Sequence, residues 1–183
     1  MPAPFVVHFD AGSSGDWRIE RISAVAGPGL APAPHLCVRT GAQAEQSGAW
    51  RLRGVVSYAR YATAAELNAL GAVQAGLGRI EATCAALIPI RKSEAWWALA
   101  QDERREIFEE KSRHTALAMR YLPAIARRLH HARDLGEPFD FLTWFEFAPE
   151  HARAFEDLVA ALRASEEWRY VEREVDVRLV REG

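Results

Sequence analysis

The sequence predicts an α+β protein in which sheet packs against helices. A strand–helix–strand unit occurs twice, first over residues 49–92 and again over residues 139–181. A long helical segment, from about residue 93 to residue 135, separates the two units. Each unit resembles half of a ferredoxin-like arrangement. We therefore expect residues 1–183 to form one domain, with an N-terminal half over about 1–92 and a C-terminal half over about 93–183.

The N-terminal quarter consists of short β-prone pieces separated by loop sequences. FVVHF, WRIERISAV and HLCVRT have the composition of strands, whereas DAGSSGD, GPGLAPAP and TGAQAEQSG are rich in glycine, proline and serine. The first repeated unit then begins with the strand AWRLRGVVSYARY. Its helix opens with Thr63 as N-cap and Glu66 three residues later, a capping box, and TCAALIPIRK forms its second strand.

The second unit contains two strands with a clear two-residue period. In WRYVEREVDVRLVR, one face carries Val175, Val177 and Leu179, and the other carries Glu174, Asp176 and Arg178. In FDFLTWFEF, the period places Phe139, Phe141, Thr143, Phe145 and Phe147 on one face, with Leu142 and Trp144 opposite. Such an aromatic face forms either ordinary core between sheet and helix or the wall of a dry pocket.

The central segment predicts helix with a histidine near its apolar stripe. Ser93 is placed to cap EAWWALA, and Asp102 is placed to start a helix over ERREIFEEKSRHTALAMRYL. In that helix roughly one side carries Ile107, Phe108, His114, Leu117, Ala118 and Tyr121. A lone histidine there is most often a core residue bonded to a carbonyl group. A neutral imidazole in an apolar wall is also what haem iron needs, and the spacing leaves both interpretations open.

Pro123 predicts a break in this helical segment, because proline removes a hydrogen bond and clashes with the preceding turn. A second helix, PAIARRLHHARDLG, would begin at Pro123 and end at Gly136. In a straight helix Arg127 would lie about 20 Å from His114 along the axis. With a break, Arg127 could reach the other side of a flat molecule bound at His114. The alternative is that Arg127 belongs to a solvated basic face.

Charge and composition exclude several classes of function. The net charge is −2 and the basic residues are dispersed, so nucleic acid is not an expected partner. Cys37 and Cys84 form no CxxC motif, which argues against a disulfide framework or a zinc site. The N-terminus lacks the features of a secretory signal and no apolar run is long enough to span a membrane, so we expect a cytoplasmic protein. His130 and His131 would point about 100° apart on a helix and are predicted bystanders whose roles stay open.

Three stretches of the chain resemble the chlorite dismutase family, and more narrowly its short, dimeric branch. They are AGLGRIEATCAALIPIRKSEAWWAL, QDERREIFEEKSRHTALAMRYLPAIARRLHHARDLGEPFDFLTWFEFAPEHARAFEDL and EEWRYVEREVDVRL. The similarity runs from about Trp50 to the C-terminus. It implies two ferredoxin-like halves of the dimeric α+β barrel type in one subunit, a homodimer, and non-covalent haem b in the C-terminal half. The chain has no CxxCH motif, which agrees with non-covalent attachment.

The resemblance also implies roles for individual residues. His114 would be the proximal ligand of the haem iron, Arg127 the distal arginine, and Glu167 the carboxylate on the proximal imidazole, with Glu166 as second choice. The other implied contacts with haem are Lys92 and Trp96 beside its propionates and Gln74, Leu129, Thr143 and Phe145 on the distal side.

The activity that the resemblance implies is the haem-dependent decomposition of chlorite to chloride and dioxygen, with formation of the O–O bond. Arg127 would attract the anion and hold the chlorine–oxygen fragment until that bond forms. One alternative is a coproheme decarboxylase, for which the porphyrin is the substrate. Two others are a haem-binding module without turnover and a ferredoxin-like dimer without a cofactor, in which His114 is a core residue. An arginine at position 127 favours chlorite chemistry.

Overall fold

Eight antiparallel strands close into a barrel in the computed structural model, which describes residues 6–41, 48–56, 64, 65, 68 and 76–183. The strands are β1 (Val6–Gly12), β2 (Trp17–Ala26), β3 (His35–Thr40), β4 (Trp50–Val56), β5 (Cys84–Lys92), β6 (Ile125–His131), β7 (Phe141–Phe147) and β8 (Val171–Arg181). Their order around the barrel is β1-β3-β2-β8-β5-β7-β6-β4, and β4 returns to pair with β1. The predicted α+β class is therefore confirmed.

Apart from the helical residues 64, 65 and 68, the helices in the described part of the chain lie between β5 and β6 and between β7 and β8. They are α1 (Glu94–Ala98), α2 (Gln101–Arg105), α3 (His114–Met119) and α4 (Ala152–Arg163), with a π-helical segment at Glu106–Lys111 and 3₁₀ turns at Arg133–Leu135, Pro149–His151 and Glu166–Tyr170. The predicted helix with the Thr63–Glu66 capping box falls largely outside the described residues. No helix of the described ranges is long and apolar enough to cross a membrane.

The barrel consists of two four-stranded sectors. β1 to β4 are neighbours in the closed sheet, and so are β5 to β8. β5 thus pairs with β7 and β8 and not with the strands that precede it in the chain. The description of each sector as a ferredoxin-like half, and the division near residue 92, stay predictions.

The prediction of a second helix over residues 123–136 is wrong. Most of this stretch is β6, which pairs with β7 along its whole length and with β4 at its C-terminal end. Alanine, arginine and leucine favour helix, but helix propensity amounts to less than about 1 kcal/mol per residue. Pairing on both sides and complete burial of Ala126 and His130 against the barrel interior outweigh that preference.

The long helix predicted after Asp102 is also interrupted. It runs as α2, the π-helical segment and α3, with Arg113 in the left-handed region between them at φ 50°. The predicted break at Pro123 is confirmed, because α3 ends at Met119 and β6 starts at Ile125. His114 is consequently the first residue of α3 and not a mid-helix residue.

Two apolar clusters lie on opposite sides of the sheet. The interior cluster includes Phe9, Leu52, Leu87 and Trp144, together with Val175, Val177 and Leu179, as the period of β8 predicts. The outer cluster joins β5, β6 and β7 to α4 and includes Ile88, Ile125, Phe145, Phe147 and Phe155. The two-residue period predicts Phe139 on the same face as Phe141, but Phe139 precedes β7 and packs in the interior cluster. The two-residue period does not hold before the strand begins.

His130 is a buried neutral imidazole that faces the barrel interior. Its Nδ1 lies 2.9 Å from the carbonyl oxygen of Leu142, and Nε of Arg128 donates to its Nε2 at 3.0 Å. Burial, together with the charge of Arg128, lowers the pKa of His130 from 6.5 to about 4, although the bond to Leu142 opposes this shift. Because both ring nitrogens already have defined roles, protonation would place an N–H group against the Arg128 donor.

We expect the free energy of unfolding to fall by about 3 kcal/mol as the pH falls from 6.5 to 4. In this range the unfolded chain binds a proton at His130 that the folded protein excludes, so stability rises with pH. Urea unfolding of the haem-free protein across this range measures the effect. His130→Asn keeps a donor and an acceptor but does not titrate there, so its stability should be nearly flat. An equally steep decline in this variant would contradict the assignment.

Candidate functional site

The outer face of β6 and β7 carries four of the predicted site residues. The register pairs Arg127 with Phe145 and Leu129 with Thr143. Because side chains alternate along each strand, all four lie on the same face, outside the barrel. Burial lowers the pKa of Arg127, and the charge of Glu109 partly opposes this shift. This face therefore combines one partly buried guanidinium with a hydroxyl and two apolar side chains.

His114, the first residue of α3, and Glu167 form a pair of polar side chains in contact. Nδ1 of His114 lies 2.8 Å from Oε2 of Glu167, which belongs to the 3₁₀ turn before β8 and is only 3 % exposed. The backbone N–H of Glu167 donates to Oγ of Ser112 at 2.9 Å, which ties this turn to the chain just before His114. Glu166, the second choice for the carboxylate, points instead towards Lys111, with 3.9 Å between Nζ and Oε1.

Lys92 extends this pair into a buried row of three ionisable groups. Its Nζ donates to Oε1 of Glu167 at 2.7 Å and lies 4.4 Å from the centre of the Trp96 ring. A second ring, that of Trp168, lies 5.6 Å from the same nitrogen. The resemblance implied that Lys92 contacts a haem propionate. The structure buries this ammonium between Glu167 and the two indole rings. Its contact with a haem propionate stays a prediction.

The charges in this row set the protonation of the carboxylate. Burial by itself raises the pKa of Glu167, but its electrostatic interactions and hydrogen bonds with His114 and Lys92 outweigh burial and lower it to about 2. Burial lowers the pKa of Lys92, and the Glu167 carboxylate opposes that shift. Glu167 is thus an anion that accepts one hydrogen bond on each oxygen, and it orients the imidazole by its bond to Nδ1.

Asp140 and Trp97 also support this region, although no local pattern in the sequence points to them. Oδ2 of Asp140 accepts hydrogen bonds from the backbone N–H of Lys92 at 2.7 Å and from Nε1 of Trp97 at 3.2 Å. The Trp97 ring stacks on Phe141 with 6.0 Å between ring centres. The second tryptophan of RKSEAWW was visible in the sequence, but nothing in the sequence connects it to an aspartate 43 residues later.

Three residues singled out in the sequence remain: Gln74, His130 and His131. Gln74 lies outside the described residues. His130 and His131 point to opposite faces of β6, and not about 100° apart as a helix would have required. The His131 ring packs against Phe141 on the outer face, 5.1 Å between centres, whereas His130 packs against Phe9 inside the barrel.

A model of the chlorite dismutase family matches residues 38–182, which include the β6 and β7 face, His114, Lys92 and Glu167. The chain belongs to the chlorite dismutase family. The family membership expected from the sequence is therefore confirmed, and the match extends further towards the N-terminus than the resemblance that begins near Trp50.

Individual family members agree with this assignment. The chain is 61 % identical to a dimeric chlorite dismutase from Nitrobacter winogradskyi of known structure, with a TM-score of 0.90 over 96 % of this chain and 99 % of that one. It is 31 % identical over 84 residues to a chlorite dismutase from Ideonella dechloratans, a match that spans 46 % of this chain and only 27 % of that longer protein. A chlorite dismutase from Candidatus Nitrospira defluvii, solved with imidazole, shares the fold at 18 % identity and a TM-score of 0.66, over 100 % of this chain and 93 % of that one. The family match and the similarity to the Nitrobacter winogradskyi protein support the predicted enzyme class, whereas the Candidatus Nitrospira defluvii structure shows the shared fold alone.

Proposed function

We propose that the protein binds haem b through His114 and decomposes chlorite to chloride and dioxygen. The observation that carries this proposal is the buried Glu167 carboxylate on Nδ1 of His114, 2.8 Å away. Metal-binding histidines usually donate their second ring N–H to such a carboxylate, which fixes the tautomer and makes the imidazole a stronger donor. Nε2 is then the nitrogen with a lone pair for iron.

The residues present fit a non-covalent haem. A single neutral imidazole is the protein ligand of iron in many haem proteins, and the rest of the pocket need only be apolar and shaped for a flat ring. Phe145 and Leu129, on the outer face of β7 and β6, supply apolar side chains for it. Trp96 beside the propionates and Gln74 in the distal lining belong to the same proposal.

Each residue has a defined task in the reaction. Haem, when bound, supplies the iron centre at which the oxygen atoms of chlorite become dioxygen. Arg127 attracts the anion with a charge that it does not lose, and it retains the chlorine–oxygen fragment by hydrogen bonds during the reaction. Phe145 and Leu129 limit access of water. Chlorite contains one chlorine and two oxygen atoms, so chloride and dioxygen account for all atoms and the charge without another reactant.

We propose further that the protein acts as a homodimer. The support is the dimeric state of the 61 % identical chlorite dismutase from Nitrobacter winogradskyi. A cytoplasmic location stays a prediction from the sequence.

The test of this function is the release of dioxygen when chlorite is added to the haem-loaded protein, followed with an oxygen electrode. We expect one dioxygen per chlorite. Arg127→Ala should retain haem, because Arg127 does not bind iron, but it should release at least about 10-fold less dioxygen before it is inactivated. A charged hydrogen bond contributes roughly 1.5–3 kcal/mol, so its loss lets the fragment escape. Haem binding without dioxygen from the wild-type protein would reject chlorite chemistry, and coproheme would then be tested as substrate.

A further inference from the structure

The ring of Phe108 covers one face of the His114 imidazole. The two ring centres are 4.3 Å apart and the planes differ by 19°, which is a parallel stack. A second stack of nearly the same geometry, between Phe147 of β7 and Phe155 of α4, has 4.5 Å between centres and 20° between planes. Phe108 therefore contacts the face of the imidazole, and the edge that carries Nε2 is not part of this contact.

An unusual backbone brings these two rings together. In a regular α-helix, residues six apart point about 120° away from each other, so Phe108 and His114 would not stack. Here Phe108 lies in the π-helical segment, where Ser112 N–H donates to the carbonyl of Ile107, five residues earlier. Arg113 then adopts the left-handed region, with φ 50° and ψ 39°, before α3 starts. That conformation is costly for a residue with a side chain, and such strain is typical of functional sites.

The stack supplies a restraint that the hydrogen bond to Glu167 does not. The bond on Nδ1 fixes the direction of one N–H group, but the ring can still tilt about the line to Oε2. A phenyl ring parallel to the imidazole opposes this tilt, because the tilted ring would collide with it. The two contacts together define the plane of the ring and hence the direction in which Nε2 points.

We infer that Phe108 is a positioning residue that sets the plane of the His114 imidazole and so the direction of its bond to the haem iron. This inference rests on the proposed function, since it assumes that Nε2 binds iron. Phe108 does not touch the reacting atoms. It acts through His114, and its removal should broaden the range of ligand orientations without breaking the bond to Glu167.

The test compares Phe108→Leu with Phe147→Leu, which loses the matched stack of the outer cluster, and with Phe108→Tyr, which keeps an aromatic ring. We expect Phe108→Leu to bind haem b about 2- to 10-fold more weakly, as the loss of one aromatic contact predicts. Its ferric EPR signal and its ferrous iron–histidine stretching band should be broader than those of the wild type. Phe108→Tyr should keep the wild-type spectra. Phe147→Leu should lose stability but leave both spectra unchanged.

The outcomes separate this inference from the proposed function. If the wild-type protein shows no iron–histidine band with haem b, both fail. If the wild type shows that band and Phe108→Leu has identical spectra, only the role of Phe108 is rejected. Equal broadening in Phe147→Leu would also reject it, because the effect would then come from general loosening. Should Phe108→Leu not fold, Phe108→Met removes the ring with a flexible side chain of similar size and is judged by the same spectra.

Discussion

Replacing His114 by alanine is expected to remove haem b from the protein and to abolish dioxygen release from chlorite. The imidazole is the iron ligand in the proposed site, and its Nδ1 lies 2.8 Å from Oε2 of Glu167, which orients the ring. Outer partners of a metal ligand typically contribute 10- to 100-fold to affinity, so loss of the ligand itself should weaken haem binding by more than about 100-fold. Haem titration followed by the absorption spectrum measures this, and the oxygen electrode measures the activity.

Two further variants test whether this effect is specific to His114. His151→Ala removes a histidine at the start of α4 and should leave haem binding and activity unchanged. His114→Gly leaves space for a free imidazole molecule, which should restore haem binding when it is added. Retention of the wild-type haem spectrum in His114→Ala would show that another residue binds the iron, and His114 would return to a purely structural role.

Replacing Glu167 by glutamine is expected to lower the free energy of unfolding of the haem-free protein by about 3–5 kcal/mol. The change leaves the ammonium of Lys92 buried without the carboxylate to which it is bonded, since Nζ donates to Oε1 at 2.7 Å and both side chains are almost completely buried. In the haem-loaded protein the reduction potential of the iron should rise, because the imidazole loses the carboxylate that makes it electron-rich. Urea unfolding and a redox titration measure the two effects.

The double variant Glu167→Gln/Lys92→Met separates these effects. Methionine removes the unpaired charge, so most of the lost stability should return, whereas the raised potential should persist. Equal destabilisation in the single and double variants would show that the buried ammonium is not the cause. A single-variant loss of less than about 1 kcal/mol would place the Lys92–Glu167 pair among weak surface pairs.

The lowered pKa of Glu167 also predicts how the stability of the wild-type protein changes in acid. Its pKa in the folded protein is about 2, below the ordinary value of 4.5, because its interactions with His114 and Lys92 outweigh the effect of burial. The unfolded chain therefore takes up a proton that the folded protein excludes between these values. This contribution is complete above pH 4.5 and is lost as the pH falls towards 2. The pH range in which Glu167 affects stability lies below that of His130, so one series of unfolding measurements across pH distinguishes the two groups.

The two-residue period of the sequence predicted side-chain orientation correctly wherever one face of a strand stays in the same environment along its whole length. The period of β8 assigned Val175, Val177 and Leu179 to the interior, and the structure places them there. The same rule worked for Leu142 and Trp144 of β7, and it failed only at Phe139, which precedes the strand. The family resemblance identified site residues that sequence periodicity could not identify. Two of them, His114 and Glu167, lie in contact.

Local pattern failed where tertiary pairing opposed it. The stretch that became β6 has helix-forming residues and a proline placed as at a helix start, so its helical interpretation was locally consistent. The neighbouring strands β4 and β7 supply backbone hydrogen bonds and a buried face that the local sequence does not contain. Consequently Arg127 lies on the sheet, opposite Phe145, and not on a second helix.

The sequence by itself determined the α+β class, the positions of most strands, the break at Pro123 and the membership of the chlorite dismutase family. These depend on residues close together in the chain or on similarity to related chains. Only the tertiary structure decided that the sheet closes into a barrel, that Lys92 lies on Glu167, and that Phe108 stacks on His114. The physical reason is that these contacts join residues as far apart in the chain as Trp17 and Arg181, which pair between β2 and β8, or depend on a π-helical segment and one left-handed residue. Their energies arise only once the chain has folded.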